Sequence, residues 1–345
     1  MKPVRPARPK QTTLADVAQA SGVDVSTASR ILRDEPGYRA AADTRDKVLA
    51  VAKSMNYKVN VIARSLRTAR THTLGIAVPQ LENPVFPQLI FGAEAAARER
   101  GYSLLISHVT ENEADDLIYD KLARIAHVDG LLVATLGEDE VLGQALRKVS
   151  QPVVVLNRKI SGVPNYAVLD SFAAAQMATQ FLLDQGHRRI AHLAGRLQGY
   201  NGTQRLAGFK AALAAANVEF DPAMVAAGGY SFEGGMQAMG QLLKGAYHCS
   251  AVFAATMLTA AGAIKVLHAQ GIAVPQDVSV IGIHDAPMAD MLHPPLTTVR
   301  MPLYALGHAA AVGLMDLIEG RADRLELILP PDGVVVRGST TPLQG

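Results

Sequence analysis

The fold is decided by a stretch near the N-terminus, which reads Thr13-Leu-Ala-Asp-Val-Ala-Gln-Ala-Ser-Gly-Val-Asp-Val-Ser-Thr-Ala-Ser-Arg-Ile-Leu32. Apolar residues recur at helical spacing until Gly22, which can adopt the positive φ of a tight turn. Asp24 then stands where a second helix, predicted over 25–33, needs a capping side chain. A third helix is predicted over about 42–55. Two helices joined by a short turn containing glycine are typical of a helix-turn-helix; an ordinary helical hairpin with a polar surface is the alternative.

Positive charge is concentrated at the same end of the chain. The first 70 residues hold fourteen Lys and Arg against six Asp and Glu, whereas the net charge of all 345 residues is only +2. A basic head on a mildly acidic body indicates that the head meets a polyanion; a solvated basic surface is the alternative. The second helix carries a small polar face that can reach phosphates and base edges in a major groove. That face consists of Ser26, Thr27, Ser29 and Arg30.

From Thr73 onward, short apolar runs alternate with helix-like segments such as 89–100, 172–185 and 205–216. This alternation predicts parallel sheets of βαβ units, covered on both faces. The pattern occurs twice, so we expect two similar lobes with a cleft between them as the default small-molecule site. The predicted strands are 74–78, 103–107, 130–134, 153–156, 167–169, 190–194, 224–227, 251–255 and 278–283.

Several classes of protein are disfavoured. The sequence has no dinucleotide or phosphate-binding glycine motif, no metal-ligand spacing and no nucleophile elbow, so neither catalysis nor a cofactor is expected. A single cysteine, Cys249, together with no signal peptide and no long apolar run, fits the cytoplasm. A stand-alone sugar-binding protein would have the same two-lobed core, but the basic helical head argues against it.

Further motifs follow the N-terminal stretch in order: Thr44-Arg-Asp-Lys-Val48, Asn60-Val-Ile-Ala-Arg-Ser-Leu-Arg67, Asn83-Pro84 with Phe86, Val128-Asp-Gly-Leu-Leu132, Gly186-His-Arg-Arg-Ile190, Arg205-Leu-Ala-Gly-Phe209, Val274-Pro-Gln-Asp-Val-Ser-Val-Ile-Gly282, Pro295-Leu-Thr-Thr-Val299 and Val336-Arg-Gly-Ser339. With these motifs the chain resembles the lactose-repressor (LacI/GalR) family along nearly its whole length. The resemblance implies an all-α helix-turn-helix head on a periplasmic-binding-protein-like α/β core of two Rossmann-like lobes. It also implies a homodimer, without a tetramerising tail, that binds a pseudo-palindromic operator as a repressor under control of a small-molecule effector.

The resemblance implies a division of the chain as well. Residues 1–10 would be a disordered basic arm, 11–59 the DNA-binding domain, 60–70 the hinge and 71–345 the effector-binding and dimerisation domain. The first lobe would span about 71–167 with 299–331, and the second about 168–298 with 332–345. Three crossings between the lobes would form a hinge through which the effector closes the cleft.

For DNA contact, the resemblance implies two sets of residues. In the head they are Thr13, Leu14, Val25, Ser26, Thr27, Ser29 and Arg30. In the hinge they are Asn60, Ala63 and Leu66, with Val59 in the place of the usual proline. Ala63 would let two hinge helices approach closely, and Leu66 would wedge between base steps in the minor groove. The alternative for Leu66 is an exposed or packed linker side chain.

For the effector, the implied residues are Pro79, Asn83, Val85, Phe86, Asn201, Arg205, Thr256 and His284. The five donors of Arg205 suit a carboxylate, a phosphate or paired hydroxyls; a helix cap or an interlobe salt bridge is the alternative. His284 stands where many relatives have a carboxylate that grips sugar hydroxyls. Arg205 with His284 therefore favours an anionic effector such as a sugar acid, unless His284 only packs at the domain edge.

Overall fold

The computed structural model describes residues 12–32, 37–57, 70–109, 119, 127–134, 139–245 and 249–343. The chain divides into two compact units, of which the first ends at Thr71 and the second begins at His72. Within the described ranges, no helix is both long and apolar enough to cross a membrane.

The first unit contains three helices, α1 (Leu14–Ser21), α2 (Val25–Leu32) and α3 (Ala42–Ser54). Thr13 caps α1 through a capping box with Asp16, and α1 ends at Gly22 with φ of 71°. Asp24 caps α2, because its carboxylate accepts a hydrogen bond of 2.9 Å from the backbone N–H of Thr27. The buried apolar side chains among the described residues of this unit come from all three helices; they are Val17, Ala18, Ala28, Ile31, Val48 and Ala52. The predicted helix-turn-helix is confirmed, with its own small core.

The second unit alternates strands and helices. Its strands are β1 (Thr73–Val78), β2 (Ser103–His108), β3 (Gly130–Val133), β4 (Val153–Leu156), β5 (Tyr166–Leu169), β6 (Ile190–Ala194), β7 (Val225–Ala227), β8 (Ala251–Ala254), β9 (Ser279–Ile283), β10 (Thr297–Arg300), β11 (Glu326–Leu329) and β12 (Gly333–Val335). Its helices are α4 (Val85–Glu99), α5 (Asp139–Arg147), α6 (Ser171–Asp184), α7 (Tyr200–Ala215), α8 (Phe232–Lys244), α9 (Met257–Ala269), α10 (Met288–Met291) and α11 (Leu303–Ile318). The first nine strands confirm the sequence prediction, which misses the last three.

The strands form two six-stranded sheets, ordered β11-β5-β4-β3-β1-β2 and β12-β10-β9-β8-β6-β7. All pairs are parallel except the antiparallel pair of β10 with β12. We call the part built on the first sheet the first lobe and the part built on the second sheet the second lobe. The chain passes between lobes after β5, after β10 and after β11, which confirms the predicted two-lobed parallel architecture.

Helices α4 and α11 of the first lobe pack with their backbones unusually close. A Cβ atom added to Gly307 would lie 2.0 Å from the carbonyl oxygen of Leu89, and one added to Gly92 would lie 2.0 Å from that of Tyr304. These contacts involve backbone rather than flexible side chains. The two glycines therefore set the distance between the helices.

We predict that Gly307→Ala destabilises the second unit by about 1–3 kcal/mol, because the new methyl group must push α11 away from α4. Gly240→Ala in α8 is the matched control, since nothing lies within 4 Å of its added Cβ. There the better helix propensity of alanine stabilises by up to about 1 kcal/mol. Urea denaturation followed by circular dichroism measures both. Equal shifts of the two unfolding midpoints would contradict the close-packing argument.

Candidate functional site

The start of α2 is the candidate DNA-reading surface. Val25 is 48% exposed, and Ser26 is exposed beside it. The hydroxyls of Ser26 and Thr27 both donate to the carboxylate of Asp24, at 2.5 and 2.7 Å. These hydrogen bonds, that of Ser26 first, hold the pKa of Asp24 well below its ordinary value. In the free protein, therefore, both hydroxyl protons are directed at Asp24.

Other predicted DNA contacts lie around this surface. Arg30 is exposed, and its guanidinium carbon lies 5.2 Å from the ring centroid of Tyr38. Ser29 is half-buried on the same helix, Thr13 caps α1, and Leu14 packs against the core of the head. The predicted hinge residues Asn60, Ala63 and Leu66 lie outside the described residues.

A cleft between the lobes contains the first group of predicted effector residues. It is lined from the first lobe by Phe86, Ala134, Leu156, Asn157 and Arg158, and from the second by Arg196, Gly199, Tyr200, Asn201 and Tyr230. The side-chain amide of Asn201 donates to the carbonyl of Asn157 at 2.7 Å, and its oxygen accepts from Ser171 at 3.0 Å. Two predicted residues, Phe86 and Asn201, thus line the same cleft from opposite lobes.

A second, smaller space between the lobes is lined by four more of the predicted effector residues. Its lining includes Asn83 and Val85 from the first lobe with Thr256 and His284 from the second. Asn83 is 8% exposed and accepts from the backbone N–H of Val85 at the start of α4, and Thr256 caps α9 by accepting from Thr259 at 3.1 Å. Pro79 lines neither space; its carbonyl accepts a hydrogen bond of 2.9 Å from the His108 ring. The enclosed volumes are about 50 and 10 Å³.

Arg205 connects the two spaces. Its side chain is buried, with Nη1 donating to the carbonyl of Ala255 at 2.8 Å and Nη2 to Nε2 of His284 at 3.3 Å. The guanidinium carbon also lies 5.7 Å from the ring centroid of Tyr230, which lines the larger space. Neither hydrogen bond reaches the first lobe. The alternative of an interlobe salt bridge is therefore not found within the described ranges.

Asp285 follows His284 and lines the smaller space with it, but its carboxylate is paired with residues other than Arg205. Asp285 accepts from Thr298 at 2.8 Å and forms ion pairs with Arg300 at 2.8 Å and Arg337 at 2.9 Å. Within the part of the chain that the structure describes, no carboxylate lies within 4.0 Å of Arg205. Burial lowers the pKa of Arg205, but a guanidinium keeps its proton in proteins. The site thus contains a buried cation without a counterion from the described chain.

His284 is neutral in this site. Burial, and secondly the charge of Arg205, lower its pKa well below 6.5. Because Nε2 accepts from Arg205, the ring proton lies on Nδ1. Among the described residues, neither that Nδ1 nor Nε of Arg205 nor Oδ1 of Asn157 has a hydrogen-bond partner. Leaving buried polar groups unsatisfied is costly; of these three residues, Asn157 lines the larger space and His284 the smaller one.

Sequence reasoning missed several cleft residues. Asn157 and Arg158 directly follow β4, Arg196 comes two positions after β6, and Tyr230 comes three after β7. Ligands of parallel sheets bind beyond the carboxyl ends of the strands. Inspecting the residues after each predicted strand would therefore have identified all four.

Two family models match the chain. "Bacterial regulatory proteins, lacI family" matches residues 13–60, and "Periplasmic binding protein-like domain" matches residues 179–340. The chain is 33% identical over 341 residues to the HTH-type transcriptional regulator CelR of Thermobifida fusca, covering 96% of this chain and 99% of that protein. The chain belongs to the lacI family.

Other members of the lacI family support the same relationship. The ribose operon repressor of Escherichia coli K12 is 32% identical over 300 residues, covering 86% of this chain and 90% of the repressor. The solved CelR–cellobiose complex matches with a TM-score of 0.72 at 33% identity, over 95% of this chain and all of that one. The lac repressor dimer bound to operator matches with a TM-score of 0.81 at 26% identity, over 96% and 100%. The chain is thus a DNA-binding transcriptional regulator with the predicted fold class.

A further buried histidine, His192 on β6, lies in the core of the second lobe. Its ring stacks on Phe253 at a centroid distance of 4.5 Å, and Nδ1 donates to the carbonyl of Phe253 at 3.0 Å. Burial lowers the pKa of His192 from 6.5 to about 4; the hydrogen bond opposes this, and the charge of Arg205 adds to it. His192 is therefore neutral in the folded protein at neutral pH.

We predict that the protein loses stability as pH falls below 6.5. Between 6.5, where His192 titrates when unfolded, and about 4, where it titrates when folded, the unfolded state binds more protons. The loss from His192 alone approaches about 3 kcal/mol, and His284 acts in the same direction. Urea unfolding at pH 7, 6 and 5 measures it. In His192→Phe the free energy of unfolding should depend less steeply on pH. The control His268→Gln changes an exposed side chain and should keep the wild-type pH dependence. An unchanged pH dependence in His192→Phe would refute the assignment of this effect to His192.

Proposed function

We propose that this chain is a cytoplasmic repressor, whose homodimer binds a pseudo-palindromic operator and whose operator affinity is controlled by an effector in the interlobe cleft. The basic helix-turn-helix head and membership of the lacI family support operator binding. The solved CelR–cellobiose complex supports a sugar-related effector. The proposal gives the cleft a binding role and no catalytic one, and it favours a regulator over a stand-alone binding protein.

The effector carries an acid group. The observation behind this is the buried Arg205, which has no carboxylate within 4.0 Å among the described residues. The described lining of the larger space contains no Asp or Glu. A buried guanidinium needs a hydrogen-bonded counterion, and a carboxylate matches its planar fork. A sugar acid brings both this carboxylate and hydroxyls that can donate to Oδ1 of Asn157.

The lobes move when the effector binds. Small-molecule sites usually have volumes of roughly 300–1,000 Å³, whereas the two partly open spaces here measure about 50 and 10 Å³. The lobes therefore move apart to make room for a sugar-sized effector, and the three crossings serve as the hinge. The boundaries expected from sequence, about 71–167 plus 299–331 and about 168–298 plus 332–345, fall inside β5 and β10, so we propose that the first two crossings begin after Leu169 and after Arg300. Closure then alters the spacing of the two heads and couples the cleft to the operator.

We predict that gluconate or galactonate binds at least about tenfold tighter than glucose or galactose, a difference of about 1.4 kcal/mol. His284→Asp should reverse this preference, because the new carboxylate pairs with Arg205 and repels an acid. His284→Asn is the matched control and should keep the preference for acids. Asp and Asn both tolerate the φ of 74° at this position. Isothermal titration calorimetry measures all combinations; tight binding of neutral sugars with no binding of acids would exclude an acid effector.

We also predict that Leu66→Ala weakens binding to the operator while leaving non-specific DNA binding nearly unchanged. The reason is that a wedge between base steps contributes only on DNA that can be kinked. Gel shifts of the full chain with operator and with scrambled duplex measure the two affinities. Equal losses on both duplexes would mean that Leu66 supports the fold instead. A chain lacking residues 1–70 should show no specific shift at all.

A further inference from the structure

We infer that Tyr38 is a positioning residue for DNA recognition, which holds Arg30 and Thr27 of the recognition helix in place. The inference rests on the proposed function, because it takes both residues to contact the operator. Tyr38 itself lies in the connection between α2 and α3, outside the helix-turn-helix motif. Nothing in its sequence pattern marks it as a DNA contact.

The contacts of Tyr38 are unusual for a packing residue. Its ring packs against the small core of the head, yet one ring face also lies 5.2 Å from the guanidinium carbon of Arg30. Its hydroxyl lies 3.3 Å from Oγ1 of Thr27, to which it donates. Thr27 and Arg30 are three positions apart on α2 and therefore share one face of the helix. A single aromatic side chain thus contacts two neighbouring side chains of the reading face.

The hydrogen bond from Tyr38 to Thr27 is part of a longer polar chain. Tyr38 donates to Thr27, and Thr27 in turn donates to Asp24 at 2.7 Å. The carboxylate of Asp24 also accepts from the backbone N–H of Thr27 and so begins α2. The orientation of the Thr27 side chain is therefore fixed from both sides. Its position is defined before DNA arrives.

The cation–π contact with Tyr38 has a direct consequence for Arg30. A guanidinium held over an aromatic ring keeps the N–H groups that point away from the ring available, and such groups form bidentate contacts with guanine or phosphate. A long exposed side chain otherwise loses many rotamers when it binds. By restricting Arg30 in the free protein, Tyr38 reduces that loss. We expect the smaller entropy loss to strengthen binding to the operator more than binding to non-specific DNA, because only operator binding requires one geometry of Arg30.

The test uses the full chain and an operator selected by the wild-type protein from a random duplex library, with a scrambled duplex for non-specific binding. Tyr38→Leu should weaken operator binding about three- to fivefold and relax base preference at the position read by Arg30. Tyr38→Phe keeps the ring and should lose about twofold. In an Arg30→Ala background, Tyr38→Leu should lose no more than this twofold effect, since the stacking partner is already gone.

Each other outcome has a definite meaning. If Tyr38→Leu weakened operator binding equally in the wild-type and Arg30→Ala backgrounds, Tyr38 would only support the fold. Faster amide exchange in α2 of the Tyr38→Leu variant would report that structural role directly. If Tyr38→Phe bound as weakly as Tyr38→Leu, the ring contact with Arg30 would be refuted. Unchanged operator affinity in Arg30→Ala would overturn the positioning role together with the Arg30 contact. A wild-type chain that selects no sequence would refute the proposed function itself.

Discussion

The buried charge of Arg205 is the constraint on which the cleft depends. A guanidinium removed from water needs partners, and here it finds only the carbonyl of Ala255, the ring of His284 and the face of Tyr230 among described groups. Burial, and secondly the charge of Arg205, lower the pKa of His284 and keep it neutral, and the hydrogen bond from Arg205 to Nε2 places the ring proton on Nδ1. The histidine therefore acts as an acceptor toward Arg205 and as a donor toward the remaining space. The guanidinium of Arg205 thus determines which nitrogen of His284 accepts a hydrogen bond and which one carries the proton.

The position of Asp285 explains how the cleft connects to the rest of the second unit. The residue next to His284 forms ion pairs with Arg300, at the end of β10, and with Arg337, after β12. Strand β10 leads directly into one crossing between the lobes, and β12 follows another. The segment that contains His284 and Asp285 is thus joined by ion pairs to two crossings, which is the connection that the proposed effector would use. Because the carboxylate of Asp285 is engaged in these ion pairs, it does not pair with Arg205. The same contacts therefore join the His284 segment to the crossings and leave Arg205 without a carboxylate partner among the described residues.

The sequence predicts strands well where they follow apolar runs and less well elsewhere. Strands β1 to β9 follow such runs: the inner ones are covered on both faces, and the edge strands β2 and β7 carry apolar residues although they are partly exposed. Strand β10 contains two threonines and an arginine, and β11 is only half-buried, so neither shows this signal. In the cleft, Phe86 and Asn201 were placed by resemblance. The contact of Asn201 with Asn157 depends on two lobes meeting in space, which no local pattern encodes.

The same distinction applies to the head. That Asp24 caps α2 follows from its position, but that it also takes both hydroxyl protons of Ser26 and Thr27 follows only from side-chain geometry. Val25 has no polar group, and Ser26 must exchange its bond to Asp24 before it donates to DNA. On this proposed reading surface Arg30 is the side chain with several donors, so we expect base discrimination to depend mainly on it. A reading face that relies on one flexible side chain gains most from a neighbour that restricts it, as Tyr38 does.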